Sequence, residues 1–255
     1  MSGFEQALSG FVQAPTVIMA KRNPGPFLES FFIPQERIDR VAQERLLSLG
    51  LMPSSPGPVP IERYCDKRWG FTEDYVDLPA GILGNAVFSE EGIVSIRILR
   101  ELGDDSSQLG VIRTRSTIAH EIGHGELHEE KYVAKLIHDR TQGDFFKHLA
   151  ADNGRIATAC REEQIFGSNK DEWWEAQANK FMAALLMPKQ LLRQVFDEWN
   201  RTNSPEDWPP VWPLAFEIAD TFKVSQKMAD IAAKTLRERE SRESGQMQTT
   251  ALKQT

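Results

Sequence analysis

The spacing of apolar residues divides the chain into helices around one short β-hairpin. Residues 35–49 place Ile38, Val41, Leu46 and Leu49 near helical spacing, which predicts an amphipathic helix stopped by Gly50. MPSSPGPVP at 52–60 is a proline-rich linker, and Pro60 can open a second short helix through about Trp69. Over 81–99, Ala86-Val87-Phe88, a turn at Ser89–Gly92 and the alternating run IVSIRIL predict a hairpin. A helix is expected from about Ser116 to His128, with Thr114 or Ser116 as its cap. DEWWEAQANKFMAALLMP predicts a strong helix with Trp174, Ala178, Phe181 and Leu185 on one face, ended or bent at Pro188. Another helix follows through about Trp199, and 214–236 reads as two helices around a turn at Lys223-Val224-Ser225.

The rest carries no clear period. Residues 1–34 are broken by Pro15, Pro24, Gly25, Pro26 and Pro34, so an extended or partly disordered lead-in is expected. Residues 139–171 are polar with one helix near 144–151, 204–213 is a loop, and the polar tail is expected to be disordered. The expected fold class is α+β, mostly helical with a small antiparallel sheet. Its divisions are an N-terminal extension and helix (1–55), a core domain (56–203), a helical segment (204–238) and a tail (239–255).

Composition narrows the function classes. The 255 residues are 40% hydrophobic and 26% charged, with a net charge of −7. That balance fits a soluble globular protein and argues against nucleic acid or anionic lipid as a general partner. Two cysteines, Cys65 and Cys160, form no metal-type pair or disulfide framework, which points to a reducing, cytoplasmic setting. The longest apolar run near the start, Val17–Ala20, is too short for a signal core, and no stretch has the length of a membrane span. All five histidines lie between 120 and 148, which directs attention to one place.

That place holds His120-Glu121-Ile122-Gly123-His124, a match to HExxH. On a helix the two imidazoles stand one turn apart on one face and can bind one ion. Glu121, turned by about 100 degrees, can reach a water there without being a ligand. A catalytic zinc site takes three protein ligands and one water, and a carboxylate placed like Glu121 serves as general base. The HExxHxxGxxH pattern fails, because position 127 is Leu and position 130 is Glu. His128, four residues past His124, sits too far round the helix to close on the same ion and is expected to support the site from behind. Glu175, with Asn179 one turn on, is the candidate third ligand; Asn179 could then orient a ligand imidazole. A solvated charge is an equally good account of Glu175 from spacing alone.

Two segments, RSTIAHEIGHGELH at 115–128 and EWWEAQANKFMAALLMP at 172–188, together resemble the ImmA/IrrE family of metallopeptidases. The resemblance extends over about 35–236. It implies a zincin-like, gluzincin-type core with one Zn2+ per chain on His120, His124 and Glu175, and Glu121 as catalytic residue. It also implies an intracellular endopeptidase acting on a protein substrate, with a helix-turn-helix repressor as the family's usual target. Gln177 stands where many members carry a second acid, and the 50 residues from Gly125 through Trp174 form a long separation. Cys160 lies in that separation; it could shield the metal, although a buried structural thiol is the simpler role.

LAFEIADTFKVSQKMADIAAKTLRERE resembles a helix-turn-helix with Ser225 as cap of its second helix. Residues 214–240 hold five basic and five acidic side chains, so a packing or protein-binding role is favoured over DNA binding. Three functions compete. The first is the peptidase, whose substrate could pair as a strand with residues 93–99. The second is a regulatory protein that contains zinc and acts through a partner or DNA rather than by proteolysis. The third is a small-molecule amidase on the same site. The intact HExxH favours catalysis, because a structural zinc has no use for Glu121.

Overall fold

A single 34-residue helix organises the molecule. In the computed structural model, which describes residues 25–142, 154–161, 172–203 and 212–252, helix α4 runs from Gln108 to Thr141. Before it come α1 (Gln35–Ser48), a 3-10 turn at Ile61–Arg63, α2 (Tyr64–Trp69), strands β1 (Asp74–Val76), β2 (Ile82–Ser89) and β3 (Gly92–Leu99), and α3 (Arg100–Asp104). After it come β4 (Ile156–Ala157), β5 (Cys160–Arg161), α5 (Trp173–Leu186), α6 (Lys189–Thr202), α7 (Trp212–Phe222) and α8 (Gln226–Leu252). The fold is mixed α+β, with mostly helical structure around a small sheet.

Several elements lie where apolar spacing puts them. Helix α1 buries Ile38, Ala42 and Leu46 and ends before Gly50, whose φ of +63° suits glycine. The hairpin forms, with Ser89 opposite Gly92 and a bulge between Val87 and Phe88. Ser225 Oγ accepts the Met228 N–H at 3.2 Å, so it caps α8 as expected.

Other expectations need correction. Helix α4 starts eight residues before Ser116, because Ser107 caps it by accepting the Gly110 N–H at 3.0 Å. Thr114 instead lies inside α4 and donates to the Leu102 carbonyl of α3. Strand β3 is paired on both edges only near its end, where β1 pairs with it in parallel over 97–99; β2 pairs with it in antiparallel fashion over 92–98, so strand addition by a substrate is restricted to the β1-side edge at 93–96. The sheet order is β1-β3-β2-β4, and β5 also pairs with β2. The tail beyond 238 is helical as far as Leu252, since its Arg, Glu and Gln residues carry good helix propensity. Within the lead-in, residues 25–34 contain no helix or strand, yet Phe27 is buried among the core aromatics. The helix expected near 144–151, His148, and most of the 204–213 loop lie outside the described residues.

Two glycines set the spacing between layers. A Cβ on Gly84 of β2 would stand 2.6 Å from the Thr117 methyl, so α4 lies tight against the sheet there. On the opposite face of α4, a Cβ on Gly123 would meet the Ala178 backbone at 3.0–3.4 Å, and this closeness brings α5 within reach of the HExxH turn. The axis of α4 is further fixed by Glu126. Its buried carboxylate takes Arg45 Nε and Arg68 Nε at 2.7 Å each and the Tyr64 hydroxyl at 3.0 Å, tying α4 to α1 and α2.

Candidate metal centre

Helices α4 and α5 pack face to face, with His120, Glu121 and His124 on one and Glu175 on the other. All four side chains are buried. His120 Nε2 lies 3.0 Å from Glu175 Oε2 and 3.2 Å from His124 Nε2, and His124 Nε2 is 3.5 Å from the same carboxylate oxygen. Ligands bonded to zinc at about 2.0–2.1 Å in a tetrahedron stand about 3.3–3.4 Å apart. The three donors, two imidazoles and one carboxylate, therefore have both the chemistry and the mutual spacing of a metal cradle. Glu175 does not point to solvent, so the solvated-charge account of it is excluded.

The imidazoles are oriented for this by their other nitrogens. His120 Nδ1–H donates to Asn179 Oδ1 at 2.9 Å. His124 Nδ1 lies 3.0 Å from His128 Nδ1, and His128 Nε2 lies 3.1 Å from Gln177 Oε1. Gln177 in turn donates from Nε2 to the Phe31 carbonyl at 3.2 Å. One assignment satisfies the whole run: His124 donates to a neutral His128, which donates to Gln177. That assignment leaves both Nε2 atoms free for an ion. An amide suits position 177, because a carboxylate there would face the Phe31 carbonyl oxygen with no proton to share.

Charge and burial agree with this pattern. Burial, reinforced by His124, pushes the His128 pKa down to about 3, so it stays neutral. Burial also opposes the charged forms of His120 and Glu175, but their mutual attraction overcomes it. The His120 pKa is raised, and the imidazoles hold the Glu175 carboxyl well below the usual carboxylate range. These three ionisations couple so strongly because water is excluded.

The Glu121 carboxylate reaches the segment that carries β4 and β5. Thr158, between those strands, donates from Oγ1 to Glu121 Oε2 at 2.7 Å and accepts the Ala86 N–H at 2.7 Å. Glu121 Oε1 is buried and has no hydrogen-bond partner of normal geometry. Thr158 thus fixes one carboxylate oxygen, while the Cys160 thiol also interacts with this carboxylate. Sequence reasoning missed Thr158 altogether. The two-residue strands flanking it carry no alternation, and only their pairing with β2 brings it to the site. Cys160 also arrives here: its thiol, Glu121 and His120 form a second close group. Burial pushes the thiol well up, and the charges of Glu121 and Glu175 add to this, so it is no free nucleophile. His138 is exposed near the end of α4 and takes no part.

An α+β frame that presents two helix-borne imidazoles, a carboxylate from a second helix and a neighbouring buried carboxylate has the build of a metal-dependent hydrolase. Residues 146–234 match the family model of the IrrE N-terminal-like domain, a peptidase family designated M78. The match includes Thr158, Cys160, Glu175, Gln177 and Asn179, begins after the HExxH segment, and supports a peptidase-family function. No curated protein matches the chain.

Proposed function

We propose that the protein is a zinc-dependent endopeptidase that hydrolyses a peptide bond in a protein substrate. The observation that carries this reading is the buried cradle of His120, His124 and Glu175, with Glu121 beside it. A zinc ion held there would polarise the scissile carbonyl and acidify water. Glu121 Oε1 would take a proton from the attacking water and hand it to the leaving amine, while Thr158 keeps Oε2 in place. Asn179 and the His128–Gln177 run would hold the two ligand imidazoles in their required tautomer. Burial keeps these polar interactions strong, because little water competes for them.

The substrate is proposed to be a protein, and the family resemblance makes a helix-turn-helix repressor the first one to test. The acidic balance of the chain disfavours nucleic acid, and among the described residues no helix is long and apolar enough to cross a membrane. The test compares the proteomes of cells expressing wild type and Glu121→Gln. A protein cleaved only with wild type supports the reading. Equal cleavage by the Gln variant would remove Glu121 from its role. An effect that survives in the variant, without cleavage, would favour a regulatory protein acting by binding.

A further inference from the structure

Two overlapping groups of donors meet at the site, and the proposed peptidase uses only one of them. His120, His124 and Glu175 form the first; His120, Glu121 and Cys160 form the second, with donor atoms all within 4.8 Å of one another. All three members of the second group are buried. Cys160 is held there by the sheet, where β5 pairs it with Gly84. An independent feature points the same way: Glu121 Oε1 is fully buried and has no hydrogen-bond partner of normal geometry.

We propose that His120, Glu121 and Cys160 form a second, inhibitory seat for a thiophilic divalent cation. This inference rests on the metallopeptidase reading, since inhibition has meaning only if Glu121 is the base. With its Nδ1 committed to Asn179, His120 has one nitrogen left to give. The two seats are therefore alternatives and cannot both be filled. In the second seat Glu121 is itself a ligand, so it cannot accept a proton from water. Soft thiolate with imidazole and carboxylate favours a soft ion, whereas the all-nitrogen-and-oxygen first seat favours zinc or cobalt. Binding at Cys160 releases its thiol proton to solvent as the metal–sulfur bond forms. A cell exposed to such ions would hold a silenced peptidase.

Cadmium is the probe, because a cadmium–thiolate bond gives a charge-transfer absorption in the ultraviolet that oxygen and nitrogen ligands do not. Full-length, metal-stripped protein is titrated with Cd2+ and, separately, with Co2+. The expected result is a thiolate band that saturates at one Cd2+ per chain. It is lost in both Cys160→Ser and Cys160→Ala, while both variants still take up one Co2+. Cys65 remains in every protein and serves as the internal control. Glu175→Gln, which removes a donor of the first seat only, is expected to keep the cadmium band. Stoichiometric Cd2+ binding by wild type without a thiolate band overturns the inference, as does a band that persists in Cys160→Ser. Loss of the band in Glu175→Gln would mean one four-donor site and also overturns it. Failure of wild type to bind either ion overturns the metallopeptidase reading itself, so the two failures are distinguishable. The wild-type titration is decisive even if a cysteine variant does not fold.

Discussion

Replacing Gln177 with leucine cuts the hydrogen-bonded run behind His124 with little change in side-chain volume. His128 Nε2 then loses its acceptor and the Phe31 carbonyl its donor. A buried polar group left without a partner costs about 1–3 kcal/mol. The histidine is fully buried and the Phe31 contact only partly so, which places the total loss of stability at about 2–4 kcal/mol. Metal affinity should fall as well, because His128 no longer has a reason to keep the orientation that positions His124. Loss of such outer support costs about 10–100-fold in affinity, or about 1.4–2.7 kcal/mol. Urea unfolding of the metal-free protein reads the first quantity and competition with a chelator reads the second. Gln177→Glu keeps the acceptor for His128 and loses the donor to Phe31, so it should lose stability while retaining more affinity than leucine. If Gln177→Leu unfolds at the wild-type urea concentration and holds zinc as tightly, the run has no supporting role.

Glu121→Gln should retain metal and lower peptide hydrolysis by about 10²–10⁴-fold, measured on whichever substrate the proteomes reveal. Thr158→Val removes the anchor of Glu121 Oε2, so kcat should fall about 10–100-fold while the metal content, read by atomic emission, stays the same. Glu126→Ala releases Arg45, Arg68 and the Tyr64 hydroxyl together and should cost about 2–3 kcal/mol by urea unfolding; an unchanged midpoint would show that α4 does not need this junction. Acid should weaken the metal-free protein over a defined window. His128 is neutral when folded, with its pKa pushed from 6.5 down to about 3, so the unfolded chain binds the proton first as pH falls. Its contribution is whole above about 6.5 and is lost toward about 3. The depressed Glu175 adds a loss in the same direction only below its ordinary 4.5, whereas the raised His120 contributes below 6.5 and loses that contribution as pH rises through its folded value. Between about 6.5 and 4.5 His128 supplies a loss of stability as pH falls, opposed by Glu73, whose carboxyl is held above 4.5 by burial, and His128→Phe should remove the His128 part of the slope in thermal melts.

The parts of the fold that were legible in the sequence are those fixed by neighbours along the chain. Ile38, Ala42 and Leu46 announce α1, the turn at Ser89–Gly92 announces the hairpin, and Ser225 announces the start of α8. The HExxH pair needs only helical geometry, and so it was readable too. The start of α4 was not, because its first turns expose Leu109 and Val111 and carry no buried stripe. Strands β4 and β5 have two residues each and exist only because β2 lends them partners. Thr158 and Cys160 therefore reach Glu121 through pairings across more than 70 positions of chain, as between Thr158 and Ala86. Gln177 was visible as a departure from a pattern, but its use depended on knowing that the Phe31 carbonyl lies beside it. Glu175 lies between these cases. Its spacing to Asn179 was suggestive, and only the closeness of α5 to Gly123 turns it inward.

The most direct test is a crystal structure of the protein loaded with one equivalent of zinc, with data collected on both sides of the zinc absorption edge. An anomalous peak is expected about 2.0–2.2 Å from Nε2 of His120, Nε2 of His124 and a carboxylate oxygen of Glu175. No peak among these side chains, or a zinc bound elsewhere with Glu175 unligated, would contradict the account.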